Sequence, residues 1–192
     1  MMRLEYLSLK WQAIGWLVLG RHAQALTVFD KLLQRWPDDA YGLSSRAHLH
    51  AQAGRFEQAL ADNERWVKVS ADNANAWFNR GYLLESLERY EEALGSFVCA
   101  TELAPKLDRA WYGQGLVLIR LQRYDEAVAA LKRNTELQPM SPYGWYQLAR
   151  VHVDRHNPEE AVKIIRHLKG FEPKVAAQLE RETGLLVGAA TP

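Results

Sequence analysis

The chain has 192 residues, 48% hydrophobic and 24% charged, a balance that indicates a folded globular protein and excludes a disordered one. Basic and acidic side chains number 24 and 23, a net charge of +1, which argues against general binding to the phosphates of DNA or RNA. The single cysteine, Cys99, excludes an intrachain disulfide framework and fits a reducing compartment, so a cytoplasmic location is expected.

The N-terminal stretch is apolar, but Arg3, Glu5 and Lys10 interrupt it and no small-residue cleavage site follows, which argues against a signal peptide. No apolar run approaches the ~20 residues that span a bilayer, so no direct membrane insertion is expected.

A period governs the rest. Trp77, Trp111 and Trp145 lie 34 residues apart, as do Ala25, Ala59, Ala93, Ala127 and Ala161. Pro37, Pro105, Pro139 and Pro173 share that period, with Ala71 in the gap. A fixed spacing of this size marks a stacked array. It divides the chain into five contiguous repeats, 6–39, 40–73, 74–107, 108–141 and 142–175. Each contains two helical patterns joined by a short turn.

In chain order, the first repeat opens on a very apolar helix carrying Trp11, Ile14, Trp16, Leu17, Val18 and Leu19. Gly20, and Gly54 in the second repeat, stand between paired helices, where glycine most easily supplies a positive φ. In the third repeat Trp77, Gly81 and Leu84 form one stripe at helical spacing, Glu88-Arg89 make the turn, and Ala93, Leu94, Phe97 and Ala100 form a second stripe. Pro105 stops that helix by removing a hydrogen bond and clashing one turn back. In the fifth repeat Asn157 is expected to cap the second helix, with Pro158 at its first position and Glu159 and Glu160 facing its positive end. Ser141-Pro142 gives the same start to the first helix of that repeat.

Small residues mark the contact within each pair, with Ala25, Ala59, Ala93, Ala127 and Ala161 facing Ala13, Ala47, Gly81, Gly115 and Ala149. Residues 174–192 break the period. Positions 174–183 still read as an amphipathic helix with Val175, Ala176 and Leu179 on one face, ended by Gly184. A stack exposes the apolar side of its last unit, so a capping helix is expected there. The tail 184–192 is expected to fray, with docking through Leu185, Leu186 and Val187 as the alternative.

The pattern of Trp77, Gly81, Leu84, Tyr90, Ala93, Leu94, Phe97, Ala100 and Pro105, repeated through Trp111, Gly115, Leu118, Tyr124, Ala127, Leu131 and Pro139, resembles the tetratricopeptide repeat. The resemblance covers 6–175. Against that pattern, Leu9 replaces the tryptophan of the first repeat, Leu43, His50 and Asn63 depart at three positions of the second, and Asn134 departs in the fourth. The resemblance implies an all-α fold, a right-handed α-solenoid of five tandem helix-turn-helix repeats plus a C-terminal capping helix, with residues 1–183 forming one superhelix.

By the same analogy the first helix of each repeat lines a concave face. The candidate peptide-binding residues are Tyr41, His48, Phe78, Asn79, Tyr82, Arg109, Tyr112, Arg120, Tyr143, Tyr146 and Arg150. Tyrosine and arginine are frequent interface anchors, and arginine forks onto carboxylates. One subclass of the family holds a C-terminal carboxylate through a five-residue clamp. Aligned from the second repeat that clamp falls on Ser44, His48, Asn79, Arg109 and Gly113, of which only Asn79 and Arg109 match.

Other polar groups suggest no chemistry. His152 and His156 share a helix face, but no third metal ligand follows at suitable spacing, and His152 falls at a core position. His48 and His50 point to different faces. Cys99 reads as a packing residue. With no phosphate loop, zinc spacing or serine elbow, no cofactor, no metal and no enzymatic activity are expected. The leading expectation is a protein-interaction scaffold that binds a peptide segment of a partner protein and no nucleic acid. The alternative is a self-assembling adaptor, a homo-oligomer joined through the apolar first helix and the C-terminal helix.

Overall fold

A computed structural model describes residues 2–188 of the chain. Among them are eleven α-helices and no strand. The chain divides into two compact units, Met1–Arg89 and Tyr90–Pro192. The first holds α1 (Met2–Val18), α2 (His22–Arg35), α3 (Ala40–Gln52), α4 (Phe56–Val69) and α5 (Ala74–Ser86). The second holds α6 (Tyr90–Leu103), α7 (Asp108–Arg120), α8 (Tyr124–Leu137), α9 (Pro142–Asp154), α10 (Pro158–Lys169) and α11 (Pro173–Thr183).

The helices obey the sequence period closely. α3, α5, α7 and α9 each begin on the first residue of a repeat, while α2, α4, α6, α8 and α10 begin 34 residues apart. The reason lies in the turns. Gly20, Gly54, Glu88, Gln122 and His156 occupy equivalent places and all adopt positive φ, between 56° and 71°. In each case the next residue donates its backbone N–H to a carbonyl five positions back, as in Arg123 N to Leu118 O (2.9 Å) and Asn157 N to His152 O (2.8 Å). That left-handed closure satisfies a helix-end carbonyl and reverses the chain. Two repeats use glycine for it and three hold an L side chain there.

Helix starts differ from expectation. Asp39 caps α3, its Oδ2 accepting from Gly42 N at 2.6 Å, and Asn73 caps α5, its Oδ1 accepting from Asn75 N at 3.0 Å. Ser141 and Asn157 make no side-chain cap bond; the prolines after them start α9 and α10 instead. A proline at the first helical position has no N–H to cap and already holds helical φ.

Packing follows the small-residue pattern. Ala25, Ala59, Ala93, Ala127, Ala161, Ala13 and Ala149 are all fully buried. In the first unit Ala13, Ala25, Val28, Phe29 and Leu49 form one core, and Leu32, Leu33, Leu43, Trp66, Val67 and Ala76 form a second. Burying each such large side chain contributes about 1.5–3 kcal/mol. In the second unit a Cβ on Gly115 would stand 2.7 Å from the Leu131 side chain, so the bare backbone there is what lets α7 meet α8.

The periodic indoles have a polar task as well. Trp77 Nε1 donates to Ala71 O (2.8 Å), Trp111 Nε1 to Pro105 O (3.0 Å) and Trp145 Nε1 to Pro139 O (2.8 Å). Each ties the start of one hairpin to the end of the preceding one.

The C-terminal segment, as far as it is described, docks rather than frays. Gly184 adopts φ 71° and ends α11. Val187 is then buried, its N–H donating to Glu180 Oε1 (2.7 Å) and its carbonyl accepting from Lys169 Nζ. Residues 189–192 of the expected tail lie outside the described residues.

Candidate functional site

In the first unit the candidate residues lie on α3 and α5. Tyr41 is half-buried, its ring edge-on to Phe29 with centroids 5.9 Å apart, and Lys10 Nζ stands 4.5 Å from its centroid. His48 is exposed, Phe78 and Asn79 are half-buried, and Tyr82 is exposed.

The second unit carries Arg109, Tyr112 and Arg120 on α7, and Tyr143, Tyr146 and Arg150 on α9. Arg109 and Arg120 are exposed. Tyr112, Tyr143 and Tyr146 converge with Pro142, Gln147, Val175 and Gln178 around a cavity of about 290 Å³. Successive first helices therefore supply three rings, and α11 supplies the remaining wall. Tyr143 is 70% exposed, a large aromatic surface at the rim. Gly113, also at an inward register position, is instead buried under Phe97: a Cβ there would lie 2.6 Å from the ring.

A polar cluster adjoins the cavity. Tyr146 Oη donates to Glu182 Oε2 at 2.5 Å, and Gln178 Nε2 donates to Glu182 Oε1 at 2.8 Å. Arg150 Nη1 reaches Tyr146 Oη at 3.4 Å and Glu182 Oε2 at 3.5 Å. The bond from Tyr146 first, then that from Gln178 and the charges of Arg150 and Arg181, holds the Glu182 carboxyl below the ordinary carboxylate range. Gln178 and Glu182 were not foreseen from sequence. They follow the end of the 34-residue period, so their facing had no register to be read from.

His152 is buried in α9, with Nδ1 unpaired among the described residues. No group of three or more His, Cys, Asp or Glu side chains able to hold a metal ion occurs among the described residues. No described helix is long and apolar enough to cross a membrane.

Helical hairpins in tandem, jointed every 34 residues by left-handed turns and indole bonds, define a protein of the α-solenoid class. A model of the tetratricopeptide repeat matches residues 12–73, 44–107, 100–142 and 112–173. The chain belongs to the tetratricopeptide repeat family.

Its fold is similar to several solved structures. A crystal structure of MamA superposes with a TM-score of 0.81 at 18% identity, covering 97% of this chain and 98% of that one. MamA from Desulfovibrio magneticus RS-1 gives 0.80 at 19%, covering 92% and 96%. YrrB, described as a TPR protein with an unusual peptide-binding site, gives 0.79 at 20%, covering 88% of each chain. Identities this low establish a shared fold. No curated protein sequence matches the chain.

Proposed function

We propose that this protein is a non-enzymatic interaction scaffold, and that the cavity between α7, α9 and α11 receives an apolar side chain from a peptide segment of a partner protein. The observation that carries the reading is the convergence of Tyr112, Tyr143 and Tyr146 on one cavity. Tyrosine offers a large rigid contact surface with little rotamer entropy to lose, and a hydroxyl to bond the peptide backbone. Gln147 and Gln178 add amide groups of both polarities at the same wall. The peptide-binding description of YrrB, a structural relative, agrees in kind. The reading extends to Arg109 and Arg120 on α7, and to Tyr41, His48, Phe78, Asn79 and Tyr82 in the first unit, as further contacts along residues 1–183. A cytoplasmic location belongs to it.

The test is affinity capture with wild type beside Tyr143→Ala and Tyr112→Ala, followed by titration of the purified partner. Binding is expected to weaken while the far-ultraviolet circular dichroism is kept. Undiminished affinity in both variants removes the cavity from consideration.

A second reading, self-assembly, has its own observation. On α1, Leu4, Leu7, Trp11 and Val18 form an exposed stripe at helical spacing. Light scattering against concentration separates the two: a mass fixed at one chain throughout rules assembly out.

A further inference from the structure

We propose that the second unit selects a partner segment carrying an aspartate or glutamate side chain beside an apolar residue, and that Glu182 occupies the carboxylate position until such a segment arrives. The inference rests on the reading of the tyrosine cavity as a docking site. Two arginines meet their carboxylates differently. Arg46 forks properly onto Asp62, with Nε and Nη2 at 2.7 and 2.6 Å from the two carboxylate oxygens. Among the described residues Arg150 instead makes its hydrogen bonds from Nη1 alone, at 3.4 and 3.5 Å; its guanidinium stands 5.9 Å from the Tyr146 ring centroid, and half of its side chain stays exposed. A guanidinium has five N–H donors in a fork shaped for a carboxylate, so Nε and Nη2 of Arg150 remain available to a second acid.

Glu182 shows what fits. It is a side-chain carboxylate presented from a helix, and it is accepted by Tyr146 and Gln178 together. Both of those residues also line the cavity. The acid position and the apolar position are therefore one side chain apart, close enough for neighbouring residues of a single segment. The tyrosine rings take the apolar side chain, and Arg150 forks onto the acid. An arriving acid competes with Glu182 for Arg150 and is repelled by it, so Glu182 weakens every such ligand. Because the internal stand-in is a side chain, the ligand group assigned is a side-chain carboxylate and not a chain terminus.

The probe is a library of random peptides displayed with their C-termini joined to a carrier protein, selected on the full chain, with a parallel library bearing free C-termini. The expected consensus has Asp or Glu beside Leu, Ile, Val or Pro. In amidated synthetic copies, exchanging the acid for its amide weakens binding about tenfold, as does Arg150→Gln. The two changes together do no more than either alone, since they remove one interaction. Glu182→Gln tightens binding about two- to fivefold, the scale of a half-exposed ion pair. Circular dichroism checks that both variants fold.

Selected peptides with no acid, an acid effect that survives Arg150→Gln, or selection from the free C-terminus library only, would each overturn the assignment. An unchanged affinity in Glu182→Gln overturns the role of that residue as competitor. If the peptides still depend on Tyr143 in those cases, the docking site stands without the acid. Peptides indifferent to Tyr143 defeat the docking site itself.

Discussion

Asn63 and Asn134 are two buried asparagines for which the structure predicts stability changes of opposite sign. Asn63, on α4, is fully buried, and neither Oδ1 nor Nδ2 finds a hydrogen bond among the described residues. The same register position holds Phe29, Phe97, Leu131 and Ile165 in the other repeats, all buried. Each unpaired donor or acceptor costs about 1–3 kcal/mol in desolvation. Leucine shares the branched outline of asparagine at Cγ and adds only a modest volume, opposed by overpacking of about 1–3 kcal/mol at most. Asn63→Leu should therefore stabilise the protein by about 2 kcal/mol, a rise in Tm of about 4–8 °C for a chain of this size. Asn134 is the control. Its Nδ2 donates to Asp108 O at 2.9 Å, and a Cβ on Gly144 would stand 2.1 Å from its Oδ1, so α9 packs directly on the amide. Asn134→Leu loses that bond and presses a methyl group onto the Gly144 backbone, and should cost about 1–3 kcal/mol. Thermal and urea unfolding followed by circular dichroism measure both. The smaller Asn63→Val separates overpacking from the polar effect. If both Asn63 variants melt below wild type, the amide is not the liability inferred here.

The remaining predictions concern turns, a charge network and pH. Gln122→Gly relieves an L residue held at φ 58°; set against the extra chain entropy of glycine, the expected gain is about 0.5–1 kcal/mol, and a lower urea midpoint would contradict it. Arg46 also bonds Asp30 at 2.7 Å besides the Asp62 fork. Arg46→Met leaves the buried Asp62 carboxylate without its partner and should cost about 3 kcal/mol, most of it regained in the Arg46→Met, Asp62→Leu double variant. His152 is held below the ordinary histidine range, by burial first and then by Arg155 and Lys132 against the opposing Glu160. Its neutral form is the folded form. Stability is thus full above about pH 6.5, the ordinary histidine value, and is lost as pH falls from there through the lower folded value. His152→Leu, which installs the residue found at Leu84 and Leu118, should flatten that slope in urea titrations at stepped pH.

The period made the fold legible because every unit solves the same packing problem with the same residues. The alanine series needed only counting, and from α2 onward the helices up to α10 recur on the same 34-residue spacing. Where several residue types can fill one role, the sequence pattern is ambiguous. Asp39 and Asn73 cap α3 and α5, while the more conspicuous Ser141 and Asn157 do not. The proline beside each of the latter is what distinguishes them, since it already starts the helix and has no N–H to cap. Glu88, Gln122 and His156 look unlike turn residues, and only their phase with Gly20 and Gly54 reveals the shared backbone shape. Of the cavity, Tyr112, Tyr143 and Tyr146 were visible through their register. Gln178 and Glu182 were not, because they lie past the last full repeat and the rotation of α11 is set by packing on α9 and α10.

The three bonded indoles give the protein built-in optical reporters. Trp77, Trp111 and Trp145 are each pinned to the carbonyl of a different joint, so each emission spectrum responds when its own joint parts. With other indoles replaced by phenylalanine, heating a set of single-reporter chains would show the order in which the joints come undone, one colour shift at a time.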